Sequence, residues 1–308
     1  MRRVIVTGAN GFVGKHVIDA LQPYDIEIHA ISRSKRTSKP NKVIWHQVDL
    51  FDSGQVEGLL KTIKPDGMIH LAWDTTPGLY WTSIDNYRWV EASLCLVRLF
   101  QENGGRRVIV TGSCAEYDWS SGVLKEESTE LNYSSAYSLS KNHLQSLLSN
   151  YAAQTCLSFA WARLFFLYGP CEPEKKLVPS IITSFLKKEV AKCTSGELKR
   201  DYLFVSDAAE ALVALLMSQF IGLVNIGSGK AVKISSLVYK ISELFPESEI
   251  LEPENNSKSD FPLVESSINI IKSIGWVPKV SLDEGLRLTI DWWRERKKTN
   301  AEESRKFL

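Results

Sequence analysis

Apolar and polar positions fall in repeating blocks along the first half of the chain. Arg3-Val4-Ile5-Val6-Thr7 is a short apolar run, and the segment after it carries Val17, Ile18 and Leu21 at helical spacing. The same two patterns then return in turn. Residues 26–31 and 43–48 read as a second and a third buried strand, and Val56, Leu59, Leu60 and Ile63 mark the helix after them. Met68-Ile69-His70-Leu71-Ala72 predicts a short fourth strand, a helix from about Ile84 to Gln101 follows, and Arg107-Val108-Ile109-Val110 predicts the next strand. Leu144, Leu147, Leu148 and Tyr151 share one face of a further helix, and residues 158–165 predict a sixth strand. Short runs that are apolar throughout suit strands covered on both faces, and strands that alternate with helices suit a parallel sheet. The pattern predicts an α/β fold, a doubly wound parallel sheet with helices on both sides.

The later part of the chain is less regular. Leu177-Val178-Pro179 opens a helix through Ile181, Ile182, Phe185 and Leu186, and a tail helix runs from Leu282 to about Arg296. Residues 297–308 are polar and expected to fray, and residues 253–260 read as a loop rather than a domain boundary. There is no internal repeat and no low-complexity linker.

Two junctions between these elements carry chemistry. Gly8-Ala9-Asn10-Gly11-Phe12-Val13-Gly14 joins the first strand to the first helix. Glycines there let backbone N–H groups approach a pyrophosphate, and a helix N-terminus favours its negative charge. The other junction is Thr111-Gly112-Ser113 at a strand end, with Tyr137 and Lys141 four positions apart on the helix that follows. That spacing places phenol and ammonium on one helical face. A free tyrosine titrates at about 10, so a neighbouring ammonium is expected to lower it, while Ser113 holds a carbonyl or alcohol oxygen. A Tyr-x-x-x-Lys pair is common by chance; its place after Thr-Gly-Ser gives it weight.

The glycine spacing Gly-x-x-Gly-x-x-Gly, together with Ser113, Tyr137 and Lys141, resembles the extended short-chain dehydrogenase/reductase family, the group of nucleotide-sugar epimerases, dehydratases and reductases. The resemblance covers nearly the whole chain. It implies a Rossmann-like dinucleotide-binding domain over 1–165 and a smaller C-terminal lobe, mainly substrate-binding, over 166–308, with some segments returning to the sheet. By the same resemblance Asp49 and Leu50 lie beside the adenine, and His70-Leu71-Ala72 passes under the nicotinamide ribose. Thr111 and Leu164 join the glycine loop as cofactor contacts. Arg163–Pro170 looks like the family's Arg-x-x-Asn-x-Tyr-Gly-Pro element, with Phe166 where an asparagine often contacts substrate. Cys114 and Glu116 are expected to face the reaction zone, Val178 to line the substrate site and Arg200 to approach a diphosphate. His70 is expected to be a packed core residue, and Asp207 a helix N-cap. The aromatic loop from Trp73 and Asp74 to Trp81 either lines a sugar-nucleotide pocket or packs on itself. A homodimer through the helices at 84–101 and 136–153 is a further expectation from the family.

The second strand ends in Ser32-Arg33-Ser34-Lys35-Arg36, where NAD-binding folds place an acidic residue against the ribose. Cations and hydroxyls suit a 2′-phosphate, so NADP(H) is favoured and NAD(H) is the alternative; a solvated basic loop is the plain reading. The Thr-Asp-Glu that dehydratases of the family carry at the Thr-Gly-Ser position is absent. The function this implies is NADPH-dependent reduction of a nucleotide-activated 4-keto-6-deoxyhexose, with an NAD-dependent nucleotide-sugar C4 epimerase as the alternative. A cofactor-sensing binding protein is disfavoured, because Ser113, Tyr137 and Lys141 are all retained.

Bulk properties narrow the partners. A net charge of +1 gives no electrostatic case for nucleic acid or an anionic membrane. The five cysteines form no Cys-x-x-Cys pair, so neither a zinc site nor a disulfide framework is indicated. No window approaches 18 uninterrupted apolar residues, and the run after Met1 is too short for a signal peptide. The expectation is a cytoplasmic enzyme without a metal.

Overall fold

In the computed structural model, which describes residues 2–34, 43–192, 197–246, 249–251 and 261–306, the apolar runs form one parallel sheet. Its strands are β1 (Arg3–Thr7), β2 (Glu27–Ser32), β3 (Val43–Gln47), β4 (Gly67–His70), β5 (Arg107–Ser113), β6 (Ser158–Leu164) and β7 (Gly222–Ile226). They lie in the order β3-β2-β1-β4-β5-β6-β7, every neighbouring pair parallel. The order reverses between β1 and β4, and in such sheets the crevice at that reversal binds ligands.

Period-two alternation sends successive residues of each strand to opposite layers. Val4, Val6, Ile28, Ile109 and Ala160 pack toward α1 (Phe12–Leu21), whereas Ile5, Met68, Val108, Val110 and Trp161 pack toward the other layer. That second layer contains α2 (Ser53–Ile63), α3 (Asp85–Glu102) and α4 (Ala136–Thr155). Both faces are therefore dry, which is why the strands carry so few polar residues.

The smaller lobe holds α5 (Leu177–Lys187), α7 (Ile234–Ser242) and α9 (Leu282–Lys306), with a sheet made of Ala231–Lys233, Lys199–Phe204, Leu263–Ser266 and Val123–Leu124, and Phe166–Tyr168 paired beside Lys199–Phe204. Between its helices, α6 (Val205–Met217) packs on α1 in the first layer, and α8 (Asn269–Ser273) contributes Ile271 there. The later part of the chain thus returns to the first layer through α6 and β7, and the earlier part lends Val123–Leu124 to the smaller lobe's sheet.

Several elements differ from expectation for local reasons. β4 stops at His70, because the next two N–H groups, of Leu71 and Ala72, turn to the Thr7 hydroxyl, each at 3.2 Å. His70 is a core residue as expected, fixed between Thr7 Oγ1 at 2.6 Å and Ser93 Oγ at 2.8 Å. Asp207 is not an N-cap: it lies in the first turn of α6 and accepts the Lys279 and Val280 N–H groups, each at 2.9 Å. The tail helix does not end near Arg296 but continues to Lys306. Lys35 and Arg36 of the basic loop, and the predicted loop at 253–260, fall outside the described residues.

Candidate active site

The glycine loop is shaped by close approach. Gly8 has φ +65°, and a Cβ there would stand 2.9 Å from the Ala72 nitrogen; a Cβ on Gly14 would collide with the Gly8 carbonyl and the Ala9 backbone. The Gly11 N–H closes the turn on Gly8 O at 2.9 Å. α1 starts with no side-chain cap on its first N–H groups, and Asn10 Oδ1, just before the helix, is buried without a partner. Open backbone donors, an uncapped helix N-terminus and an orphaned amide oxygen fit a dinucleotide pyrophosphate and ribose.

From this loop a cleft of about 740 Å³ runs across the carboxyl ends of the strands. One end is lined by Ser32, Arg33, Asp49 and Leu50. The middle is lined by the loop residues Gly8, Asn10, Gly11, Phe12, Val13 and Gly14, with Leu71, Ala72, Thr111 and Leu164. At the far end Ser113, Tyr137 and Lys141 meet Trp73, Asp74, Cys114 and Phe166. The topology thus assembles in one cleft residues that are up to 194 positions apart, Gly8 and Tyr202.

Each member of the trio is held by its own element. Ser113 closes β5, and its hydroxyl accepts the Ala115 N–H at 3.2 Å. Tyr137 is the second residue of α4, a helix started by a reciprocal cap: Ser135 Oγ accepts the Ser138 N–H at 3.1 Å, and Ser138 Oγ accepts the Ser135 N–H at 3.2 Å. The Tyr137 N–H donates to Trp81 O at 3.2 Å, which ties the aromatic loop to the start of the helix. One turn on, Lys141 Nζ donates to Thr111 O at 2.9 Å and stands 3.7 Å from the centre of the Trp73 ring.

The electrostatics depart from the expectation of a lowered phenol. Burial pushes the Tyr137 hydroxyl well above the ordinary tyrosine range, against a hydrogen bond from Ser113 that acts in the opposite direction. Burial likewise brings Lys141 down to about 7, with Glu116 opposing. The free site therefore holds a protonated phenol next to an ammonium that gives up its charge near neutrality. The Cys114 thiol is raised to about 12, chiefly by burial, and so is no thiolate.

Three expected substrate contacts do not line the cleft. Glu116 is turned back by a one-turn 3₁₀ helix, and its carboxylate is fully buried. It accepts the Ser113 N–H at 2.7 Å, the Trp161 indole N–H at 2.9 Å and Arg163 Nε at 2.6 Å, so it braces β5 against β6 from beneath the site. Gly112 is needed for the same reason, since a Cβ there would strike Trp161 and Glu116. Val178 faces the smaller lobe's core with Ile181 and Ile182, one helical turn on, and leaves Leu177 at the cleft. Arg200 lies 5.5 Å from the Trp119 ring and 5.9 Å from that of Phe166, and gives its Nη1 to the carbonyls of Lys199 and Phe261. Asp74 does line the cleft, but its Oδ1 accepts from the Thr76 N–H and hydroxyl of its own loop.

The cleft also contains groups that the motifs did not single out. The aromatic loop lines it as well as packing on itself: Tyr80 and Trp81 sit edge-on to Tyr137, with ring centres 4.9 and 5.8 Å away. Glu172, in the loop after Phe166–Tyr168, lines the cleft, is buried, and has Oε2 without a partner. Burial raises its carboxyl to about 8. Among the described residues no cluster of His, Cys, Asp and Glu is arranged to hold a metal, and no helix is long and apolar enough to cross a membrane.

Comparison with known proteins follows the same line. The sequence model of the NAD dependent epimerase/dehydratase family matches residues 4–227. The chain is 28% identical over 298 residues to CDP-abequose synthase of Salmonella typhimurium, covering 92% of this chain and 95% of that one. Its fold superposes with a TM-score of 0.86 on UDP-N-acetylglucosamine 4-epimerase from Methanobrevibacter ruminantium, at 25% identity and over 96% and 99% of the two chains. MoeE5, solved with UDP-glucuronic acid and NAD, is 26% identical with a TM-score of 0.82, over 96% of this chain and 99% of that one.

Proposed function

The chain belongs to the NAD dependent epimerase/dehydratase family, and from that premise we propose that it is an NADPH-dependent reductase of a nucleotide-activated 4-keto-6-deoxyhexose. The observation that carries the direction of the reaction is the end of β2, where Ser32 and Arg33 line the cleft in place of an acidic residue and suit the electron donor NADPH. At the cleft's other end stands Tyr137, a buried phenol beside Ser113. Such a group is ready to give a proton rather than to take one. Ser113 donates its hydroxyl hydrogen to the C4 carbonyl oxygen and fixes that oxygen beside the phenol. Tyr137 then protonates the same oxygen as negative charge develops on it. Lys141, when charged, stabilises the phenolate left behind. When bound, the dinucleotide supplies the hydride that completes the alcohol at C4.

The glycine loop and Asn10 hold the pyrophosphate side of the dinucleotide in this reading. Ser32 and Arg33 take the 2′-phosphate, since β2 ends without the acidic residue that an NAD ribose calls for. The nucleotide-sugar substrate is supported by the names of the relatives, a synthase of a CDP-linked sugar and proteins that handle UDP-sugars. It enters at the far end of the cleft, against Trp73, Cys114 and Phe166.

A second reading, a C4 epimerase with tightly held NAD, uses Ser113, Tyr137 and Lys141 as well and is supported by the superposition on a 4-epimerase. Nicotinamide absorbance separates the two. With purified protein, NADPH or NADH and a panel of nucleotide 4-keto-6-deoxyhexoses, the reductase consumes NADPH in step with one ketosugar. Absence of any loss, with interconversion of a nucleotide hexose in unsupplemented protein, assigns the epimerase instead.

A further inference from the structure

Lys141 is 4% exposed, yet among the described residues no carboxylate lies within ion-pair distance of it. The charged and titratable groups around it give little direct support. Glu116, from the turn after β5, is committed to Arg163 of β6. His70 of β4 is lowered to about 3 by burial and is neutral. Cys114 and Tyr80 are raised to about 12 and are also neutral, as is Tyr137 on the same helix. The Thr111 carbonyl accepts one N–H at 2.9 Å, but a neutral amine would keep that bond as well, so the ammonium holds its charge only if something further faces it.

The Trp73 indole does. Its ring centre is 3.7 Å from Nζ, whereas the next aromatic face, Trp161, is 5.8 Å away. The ring is also fixed from behind. Its Nε1–H donates to Asn86 Oδ1 at 2.8 Å, and the Asn86 amide donates in turn to Tyr80 O at 2.7 Å and Ser83 O at 2.8 Å. Trp89, one turn from Asn86 on α3, stacks on Trp73 with centres 6.0 Å apart. α3 therefore holds the indole, and the indole meets the side chain that α4 presents.

We propose that Trp73 is a positioning residue for Lys141: its π face takes the place of a counter-ion, holding the buried ammonium charged and aimed at the cleft beside Tyr137. Indole is the strongest of the aromatic faces for a cation, and the contact gains weight when water is excluded. The role belongs to the free protein and does not depend on which ligand enters; only its kinetic consequence rests on the reductase reading.

The test is direct titration of Lys141 in the full chain labelled with ¹³C at lysine Cε, the signal being assigned by its loss in Lys141→Met. Wild type is expected to titrate near neutrality. In Trp73→Leu the midpoint falls by about one pH unit, because the ammonium loses its facing charge density. Trp73→Phe keeps a weaker ring and lies between the two. Asn86→Ala leaves the ring in place but unfixes it, moves the midpoint in the same direction, and serves should the leucine variant fail to fold. A midpoint unchanged in Trp73→Leu, or in both Trp73→Phe and Asn86→Ala if the leucine variant does not fold, overturns the proposal. The NMR readout needs neither substrate nor turnover, so its failure is distinct from failure of the reductase reading. If both hold, the alkaline limb of the pH–rate profile shifts to lower pH in the same variants.

Discussion

Because the Tyr137 phenol is buried and its Ser113 partner is a neutral hydroxyl, it enters a reaction with its proton in place. Tyr137→Phe removes only that proton, so turnover is expected to fall by roughly 10²–10⁴-fold, the usual worth of a positioned acid. Dinucleotide affinity, followed by quenching of tryptophan fluorescence, stays near wild type; its loss would mean that the phenol holds the cofactor. Glu172 makes a second prediction at this scale. Its folded-state value of about 8 lies above the ordinary 4.5, so its contribution to stability is present at low pH and is lost as pH rises through that window. Glu172→Gln does not titrate, and urea midpoints should show it gaining on wild type from about pH 5 upward and levelling off above pH 8, by up to about a few kcal/mol. Parallel curves for the two proteins would refute it. Ser113, Tyr137 and Lys141 are legible in sequence because strand end and helix spacing fix where they point. Glu172 is not, since its place depends on Cys171 at φ +70° and on His16 reaching Pro170 O across 154 positions. Glu116 is misread for the opposite reason: it is close to Ser113 in sequence, but a single 3₁₀ turn faces it inward.

Elements place these residues through their ends. α4 begins at the Ser135–Ser138 exchange, one residue before the helix and two before Tyr137. Ser135→Ala leaves the Ser138 N–H without its acceptor and is expected to cost ~1 kcal/mol in urea unfolding, with a lower kcat from a less fixed phenol. An unchanged unfolding midpoint would place the anchor elsewhere, at the Tyr137 N–H to Trp81 O bond. Interiors of elements are readable from period alone, and the strands of the main sheet fall within two residues of expectation where both are defined, except that β5 runs three residues past Val110 to Ser113. Ends are less so. β4 is cut short by the Thr7 hydroxyl, a contact 64 positions distant that no local pattern announces. The tail is longer than expected because its charged residues are good helix formers, and extending an existing helix carries no nucleation cost.

At the scale of the molecule, the cleft lies between the carboxyl ends of a parallel sheet and a lobe that closes its far end. The sheet half was predictable, since continuous apolar strands alternating with helices leave few other topologies. The lobe was not: Phe166–Tyr168, Lys199–Phe204 and Leu263–Ser266 meet from distant parts of the chain, and Val123–Leu124 joins them. Within the sheet half, Trp73, Tyr80 and Trp81 pack around Tyr137, and Trp73 and Trp161 around Lys141. This burial underlies the central proposal that the protein delivers a hydride to carbon and a proton to oxygen. The most direct measurement uses NADPH deuterated at the transferable C4 position of the nicotinamide, with mass and ¹H NMR analysis of the sugar product. The account predicts one deuterium at C4 of the product hexose and equimolar NADP⁺. A product without deuterium, formed with the NADPH unconsumed, would contradict it.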